Sequence, residues 1–112
     1  MDQKKDFFKD VFQVVELIPE GRVTSYGAIA KCLGAARSSR LVGWALNASF
    51  KSPVNIPAHR VVNRLGMLSG ATHFLTPTAM EERLTAEGHQ IVDNQIVDFK
   101  AVYWDPLVEL AL

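Results

Sequence analysis

The run Gly21-Arg22-Val23-Thr24-Ser25-Tyr26-Gly27-Ala28-Ile29-Ala30-Lys31-Cys32-Leu33-Gly34 passes from a turn through an extended piece into a helix and out again. Val23 reads as extended, Thr24 or Ser25 can cap the helix, and Tyr26 to Leu33 form it until Gly34 stops it. Downstream, Ser38 or Ser39 caps another helix running to about Ala48. Upstream, Phe8, Val11, Phe12, Val15 and Ile18 recur at spacings of three and four, with Lys9, Asp10, Gln13 and Glu16 largely on the other side. That period predicts an amphipathic helix over Asp6–Ile18, broken by Pro19-Glu20-Gly21. Two short helices on a tight Gly-containing connection, after a longer one, make a helix-turn-helix arrangement.

Beyond Phe50 the helical period disappears. Phe50 to Thr76 reads as loop-rich, with Ile56 to Val62 partly extended. Thr76-Pro77-Thr78 suits a helix start, with proline in the first turn and Glu81 and Glu82 at the positive end; Gly88 ends that helix. Gln90-Ile91-Val92 and Gln95-Ile96-Val97 flank Asp93-Asn94 as a small hairpin with the shape of a wing. The tail from Tyr103 to Leu112 carries no decisive pattern.

With 112 residues, 48% of them hydrophobic, the chain is expected to fold as one domain over residues 1–112 and not to be disordered. No apolar run approaches the roughly 20 residues that span a bilayer, and no secretory signal follows the charged amino terminus. The single Cys32 excludes an internal disulfide, which points to a cytoplasmic protein, nucleoid-associated if bacterial. The net charge of zero hides a segregation. Between Gly21 and Met80 there is no Asp or Glu, while Arg22, Lys31, Arg37, Arg40, Lys51, Arg60 and Arg64 all fall there; all 12 acidic residues lie in the flanks. An acid-free centre suits a polyanionic partner, although burial of the segment would also account for it.

Three segments carry chemistry: Gly21-Arg22-Val23-Thr24-Ser25-Tyr26-Gly27-Ala28-Ile29-Ala30, Ser39-Arg40-Leu41-Val42-Gly43-Trp44-Ala45-Leu46 and Ile56-Pro57-Ala58-His59-Arg60-Val61-Val62. Together, in this order, they resemble the O6-alkylguanine-DNA alkyltransferases. The corresponding family patterns are Gly-x-Val-x-Ser/Thr-Tyr-x-x-Ile/Leu-Ala, Ala-Arg-Ala-Val-Gly-x-Ala-Met/Leu and Pro-Cys-His-Arg-Val. The likeness runs from about Phe7 to Gly88 and corresponds to the family's DNA-binding half without its large amino-terminal domain. Ala58 stands where the family has its nucleophilic cysteine, as expected of the alkyltransferase-like proteins.

The resemblance implies a mainly α fold with a small β component, a winged-helix-like helix-turn-helix DNA-binding domain. It implies a monomer, without cofactor or metal, that binds double-stranded DNA through the minor groove. There it would flip O6-alkylguanine into a pocket and hold it without repair, flagging it for nucleotide excision repair proteins. A methyl in place of a thiol enlarges the pocket, so tolerance for bulkier O6 adducts is expected.

The same resemblance distributes roles. Tyr26 would crowd the phosphate beside the target and Arg40 would fill the stack left by the flipped base; base extrusion costs a few kcal/mol, so both a push and a receiving pocket are needed. Gly43 would allow close approach to the DNA, with Arg37, Ser39 and the amides near Ser25 as phosphate contacts. Pro57, Ala58 and Val61 would line the pocket with Tyr26, and Leu46 would pack nearby. His59 and Glu87 would be the vestige of the pair that relays a proton from the thiol, supported by Arg60. From the residues alone, Tyr26 also reads as a core ring, Arg40 as an ordinary phosphate contact, and His59 and Glu87 as members of a buried network.

Two chemical alternatives stay open at this level: an active alkyltransferase using Cys32, and a transcription regulator using the helix-turn-helix in the major groove. A protein-interaction domain with an incidental basic face is the third. Cys32 is expected to be buried and inert among Ile29, Leu33 and small residues. His59, His73, His89 and Cys32 have no metal-ligand spacing. Trp44, in place of a usually small residue, and the loop Leu68 to Leu75 have no assigned role.

Overall fold

The computed structural model describes residues 3–51 and 54–110. Helix α1 covers Gln3–Glu16 and buries Val11, Val14 and Val15. It begins earlier and ends two residues sooner than the periodicity predicts. Leu17 and Ile18 instead donate to the Val14 and Val15 carbonyls at 3.0 and 3.1 Å, a tightened turn that feeds Pro19. Phe8 and Phe12 are half-buried against the core.

Strand β1 (Thr24–Ser25) leads directly into α2 (Tyr26–Cys32). Ser25 rather than Thr24 is the cap: its hydroxyl accepts from the Ala28 N–H at 3.1 Å. At the other end Gly34 takes φ +74°, the Ala35 N–H reaches the Ala30 carbonyl at 2.8 Å, and the Gly34 N–H reaches that of Lys31 at 3.1 Å. This paired closure requires left-handed backbone, which glycine adopts without steric cost. Helix α3 (Ser39–Ser49) follows, with Ser38 in the cap position but making no side-chain capping bond. Val42, Ala45, Leu46 and Ser49 fill its inner side, where it packs on α1 and α2.

The loop-rich half contains a 3-10 turn (Ala58–Arg60), strand β2 (Val61–Val62), a second 3-10 turn (Ala71–His73) and helix α4 (Ala79–Ala86). Helix α4 starts at Ala79, so Pro77 lies in the preceding turn and not in the helix's first turn. β1 pairs with β2 in parallel, Thr24 opposite Val61 and Ser25 opposite Val62. That pairing sets the 3-10 turn beside the start of α2. Strands β3 (Ile91–Val92) and β4 (Gln95–Ile96) form the expected hairpin, turned by Asp93 and Asn94 at φ +51° and +64°.

The tail is ordered by partners that local pattern does not reveal. After α5 (Phe99–Val102), Val23 bridges to Tyr103, and the Trp104 N–H donates to the Val23 carbonyl at 2.7 Å. Trp104 is buried, and Asp105 caps α6 (Pro106–Glu109) by accepting from the Leu107 N–H. Ala111 and Leu112, the end of the tail, lie outside the described residues. The Arg22 guanidinium donates to the Val102 and Tyr103 carbonyls at 3.0 and 2.5 Å, so this cation serves the fold.

Glu87, at the C-terminal cap of α4, gathers the elements together. Its carboxylate meets His59 Nε2 at 2.6 Å, Arg60 Nη2 at 2.8 Å and Nε at 3.0 Å, and the Gly21 N–H at 3.2 Å. Arg60 Nη1 also donates to the Ile18 carbonyl at 2.8 Å. Burial by itself would raise the Glu87 pKa, but the bonds from Arg60, His59 and Gly21 hold it down at about 2. Burial lowers the His59 pKa against the opposing pull of Glu87, which favours a neutral imidazole near neutral pH.

The signs of these shifts agree. Glu87 titrates below its ordinary value of 4.5 in the folded state, so its contribution is complete above that pH and disappears toward pH 2. His59, depressed in the fold, adds a loss as pH falls below 6.5. Urea unfolding across pH is expected to show stability declining from about pH 6.5 and most steeply between 4.5 and 2. Glu87→Gln should cost roughly 2 kcal/mol at neutral pH, discounted for solvent at the edge of the clasp, and should flatten the steep limb. An unchanged pH profile in that variant would show that the clasp does not hold the fold.

Candidate functional site

A cleft of about 460 Å³ opens between the start of α2, the outer side of α3, the 57–61 turn and the 69–74 loop. Its size suits a small-molecule or nucleobase ligand. The floor is apolar: Leu46, Ala58, Val61, Phe74 and Met80 line it and are buried. On α3, Ser39, Arg40, Gly43, Trp44 and Asn47 line one side, because residues three, four and seven apart share a helix face. Arg40 and Ser39 are exposed, and a Cβ added to Gly43 would meet nothing within 4 Å.

Tyr26 stands at the first position of α2 and is half-buried in the cleft wall. Burial raises its pKa, opposed by a hydrogen bond with the Ser69 side chain. A Cβ on Gly70 would lie 2.7 Å from the Tyr26 hydroxyl, so the loop approaches that ring through a residue without a side chain. Ser25, expected to mark backbone amides that meet a phosphate, is buried with its hydroxyl committed to the Ala28 N–H. Only its backbone remains to offer. Arg37 is exposed in the connection before α3 but does not line the cleft.

Pro57 is a correction. It lines a separate depression of about 500 Å³, together with Glu16, Asn55, Ile56, His59, Arg60 and Arg83. The cause is the 3-10 turn, in which residues three apart eclipse one another. Ala58 and Val61 therefore share the cleft side, and Pro57 and Arg60 share the other. Ala58 is buried, so its methyl forms part of the floor. His59 lies on the far side with its Nε2 engaged by Glu87 and its Nδ1 buried without a partner.

Cys32 does not line the cleft. It is half-buried rather than buried, and burial together with the nearby Asp105 raises its pKa, which disfavours a thiolate. Among the described residues no three His, Cys, Asp or Glu side chains gather to hold a metal, and no helix is long and apolar enough to cross a membrane. The basic centre is smaller at the surface than the sequence suggests: Arg22 and Arg60 turn inward, while Lys31, Arg37, Arg40, Lys51 and Arg64 are exposed.

Sequence reasoning missed Trp44, Asn47, Phe50 and Met80 as cleft residues and left open which of Leu68 to Leu75 reach it, which are Ser69, Gly70, His73 and Phe74. Asn47 was recoverable, lying seven residues after Arg40 on the same helix face. Phe50 and Phe74 meet edge to face, with centroids 4.8 Å apart, across a separation that no local pattern encodes.

Comparison with known proteins places the fold. The "DNA base-flipping protein" of Escherichia coli K12 is 36% identical over 107 residues, covering 94% of this chain and 79% of that protein. "Alkyltransferase-like protein 1" of Schizosaccharomyces pombe is 30% identical over 95 residues, covering 85% of this chain and 87% of the relative. The crystal structure of S. pombe Atl1 in complex with damaged DNA containing O6-carboxymethylguanine superposes with a TM-score of 0.77 at 27% identity. That match covers 95% of this chain and all of that one, so the winged-helix-like, mainly helical architecture is shared. Residues 6–89 match the family described as "6-O-methylguanine DNA methyltransferase, DNA binding domain". The chain belongs to that family.

Proposed function

We propose that this protein binds double-stranded DNA, receives an O6-alkylated guanine rotated out of the duplex into the cleft beside Ala58, and holds it without removing the alkyl group. The observation that carries this reading is the floor of the cleft: a buried methyl, Ala58, at the position where alkyl transfer needs a thiolate, below Tyr26 and Arg40. Transfer would form a sulfur–carbon bond as the carbon–oxygen bond of the lesion breaks, and Ala58 offers no electron pair for that step. Arg40 supplies a planar cation suited to the gap that extrusion leaves in the stack. Tyr26, held by Ser69 against the loop, provides a fixed wall beside the target's phosphate. Relatives named for base flipping and a fold match bound to damaged DNA support this reading. That match contains a carboxymethyl adduct, which is compatible with room for substituents larger than methyl. Because binding alone leaves the lesion in place, a second activity must excise it, and nucleotide excision repair is the route that accepts a distorted duplex.

Matched duplexes carrying guanine or O6-methylguanine test the reading directly. The lesion duplex should bind more tightly, and affinity should fall with log salt by roughly 0.9 per phosphate contacted. Equal affinity for the two duplexes would sink it. Arg40→Ala should weaken lesion binding by about tenfold, the scale of one lost charge-assisted contact, without lowering the thermal midpoint. With a radiolabelled methyl group on the lesion, the unaltered protein should acquire no label, whereas Ala58→Cys should acquire some. Stoichiometric label on the unaltered protein would instead assign the chemistry to Cys32.

A further inference from the structure

The inner side of α3 is already filled by Val42, Ala45, Leu46 and Ser49, so Trp44 is not a core anchor. The residue is 50% exposed while lining the cleft, one helical turn along from Arg40. Phe50, 40% exposed, extends the same wall and meets the ring of buried Phe74 edge to face. The Arg83 guanidinium lies 5.5 Å over Phe74, fixing that ring from another direction. Among the described residues no carboxylate lines the cleft, and Arg40 is the one Lys or Arg that does. This lining repels a cationic group and offers exposed aromatic surface to a flat neutral one. A methyl group has no face with which to use that surface.

We propose that Trp44 is a specificity-determining residue, whose indole, continued by Phe50, stacks on an aryl group carried at O6 of the extruded guanine. Arylmethyl adducts then bind in preference to the methyl adduct. The proposal rests on the lesion-binding reading above and adds to it a class of ligand and the side chain that selects it.

The test is fluorescence anisotropy on three otherwise identical duplexes carrying guanine, O6-methylguanine or O6-benzylguanine, at one salt concentration. The unaltered protein should bind the benzyl lesion about five- to tenfold more tightly than the methyl lesion, the scale of one aromatic pair in a partly dry site. Trp44→Ala should weaken the benzyl complex by about that factor more than the methyl complex, so that the preference disappears. Trp44→Leu, which keeps apolar bulk without a ring, should lose it as well, and Trp44→Phe should retain part of it. Equal weakening of all three duplexes by Trp44→Ala would mean that the indole touches the duplex and not the adduct, which overturns the proposal. So would equal affinity of the unaltered protein for the two lesions. Failure to distinguish O6-methylguanine from guanine is a separate outcome, which removes the lesion-binding reading and this proposal together.

Discussion

Hydrogen bonds from the neighbours His59 and Arg60 and from the Gly21 amide converge on the carboxylate of Glu87, from two places far apart in the chain. Arg60 adds a bond to the Ile18 carbonyl, so the end of α1, the entry to β1, the 57–61 turn and the end of α4 are tied together. Compared with an apolar cluster of the same volume, a buried ionic cluster of this kind gains little, because desolvating its charges cancels much of their attraction, although removing one member alone leaves the others unpaired. What it supplies is position. The β1–β2 pairing is held on both flanks, and Ala58 is thereby fixed relative to Tyr26. The cluster has this mechanical task whether or not a thiol stands beside it, which accounts for a His–Glu pair in contact next to an alanine.

The helical half was legible in the sequence because its determinants are local. The α3 face carrying Arg40, Gly43 and Trp44 follows from helical period, and Gly34 marks the end of α2 through the conformation it alone adopts cheaply. The hairpin was equally plain, since Asp93-Asn94 between alternating runs specifies a tight turn. The tail was not. Its placement depends on Val23 and Arg22, some eighty residues away in the chain. The cleft was legible where it is built from motif residues and invisible where Phe50, Phe74 and Met80 close it from afar. Pro57 was misassigned because it was taken with Ala58 as one wall, whereas the three residues per turn of a 3-10 turn set Ala58 and Val61 on the cleft side and leave Pro57 facing the second depression.

Charge shows the same division between local and long-range information. An acid-free stretch of chain is a property of sequence, but a basic face depends on which guanidiniums find carbonyls to turn toward. Arg22 and Arg60 do so and leave the surface to five others. The β3–β4 hairpin carries exposed Asp93 and no Lys or Arg, with Asp98 following it. It has the outline of a wing without the cations that would draw one onto a phosphate backbone.

The near-contact of Gly70 with the Tyr26 hydroxyl has a thermodynamic side. Ser69 and Gly70 lie against the Tyr26 hydroxyl, and the absence of a side chain at Gly70 lets the loop come that close. Two walls that would otherwise fluctuate independently are ordered while the chain folds. An incoming ligand need not spend binding energy on arranging them, and its residence can reflect contacts made rather than freedom lost. Order that folding builds into the cleft walls is thus already part of the affinity of the complex.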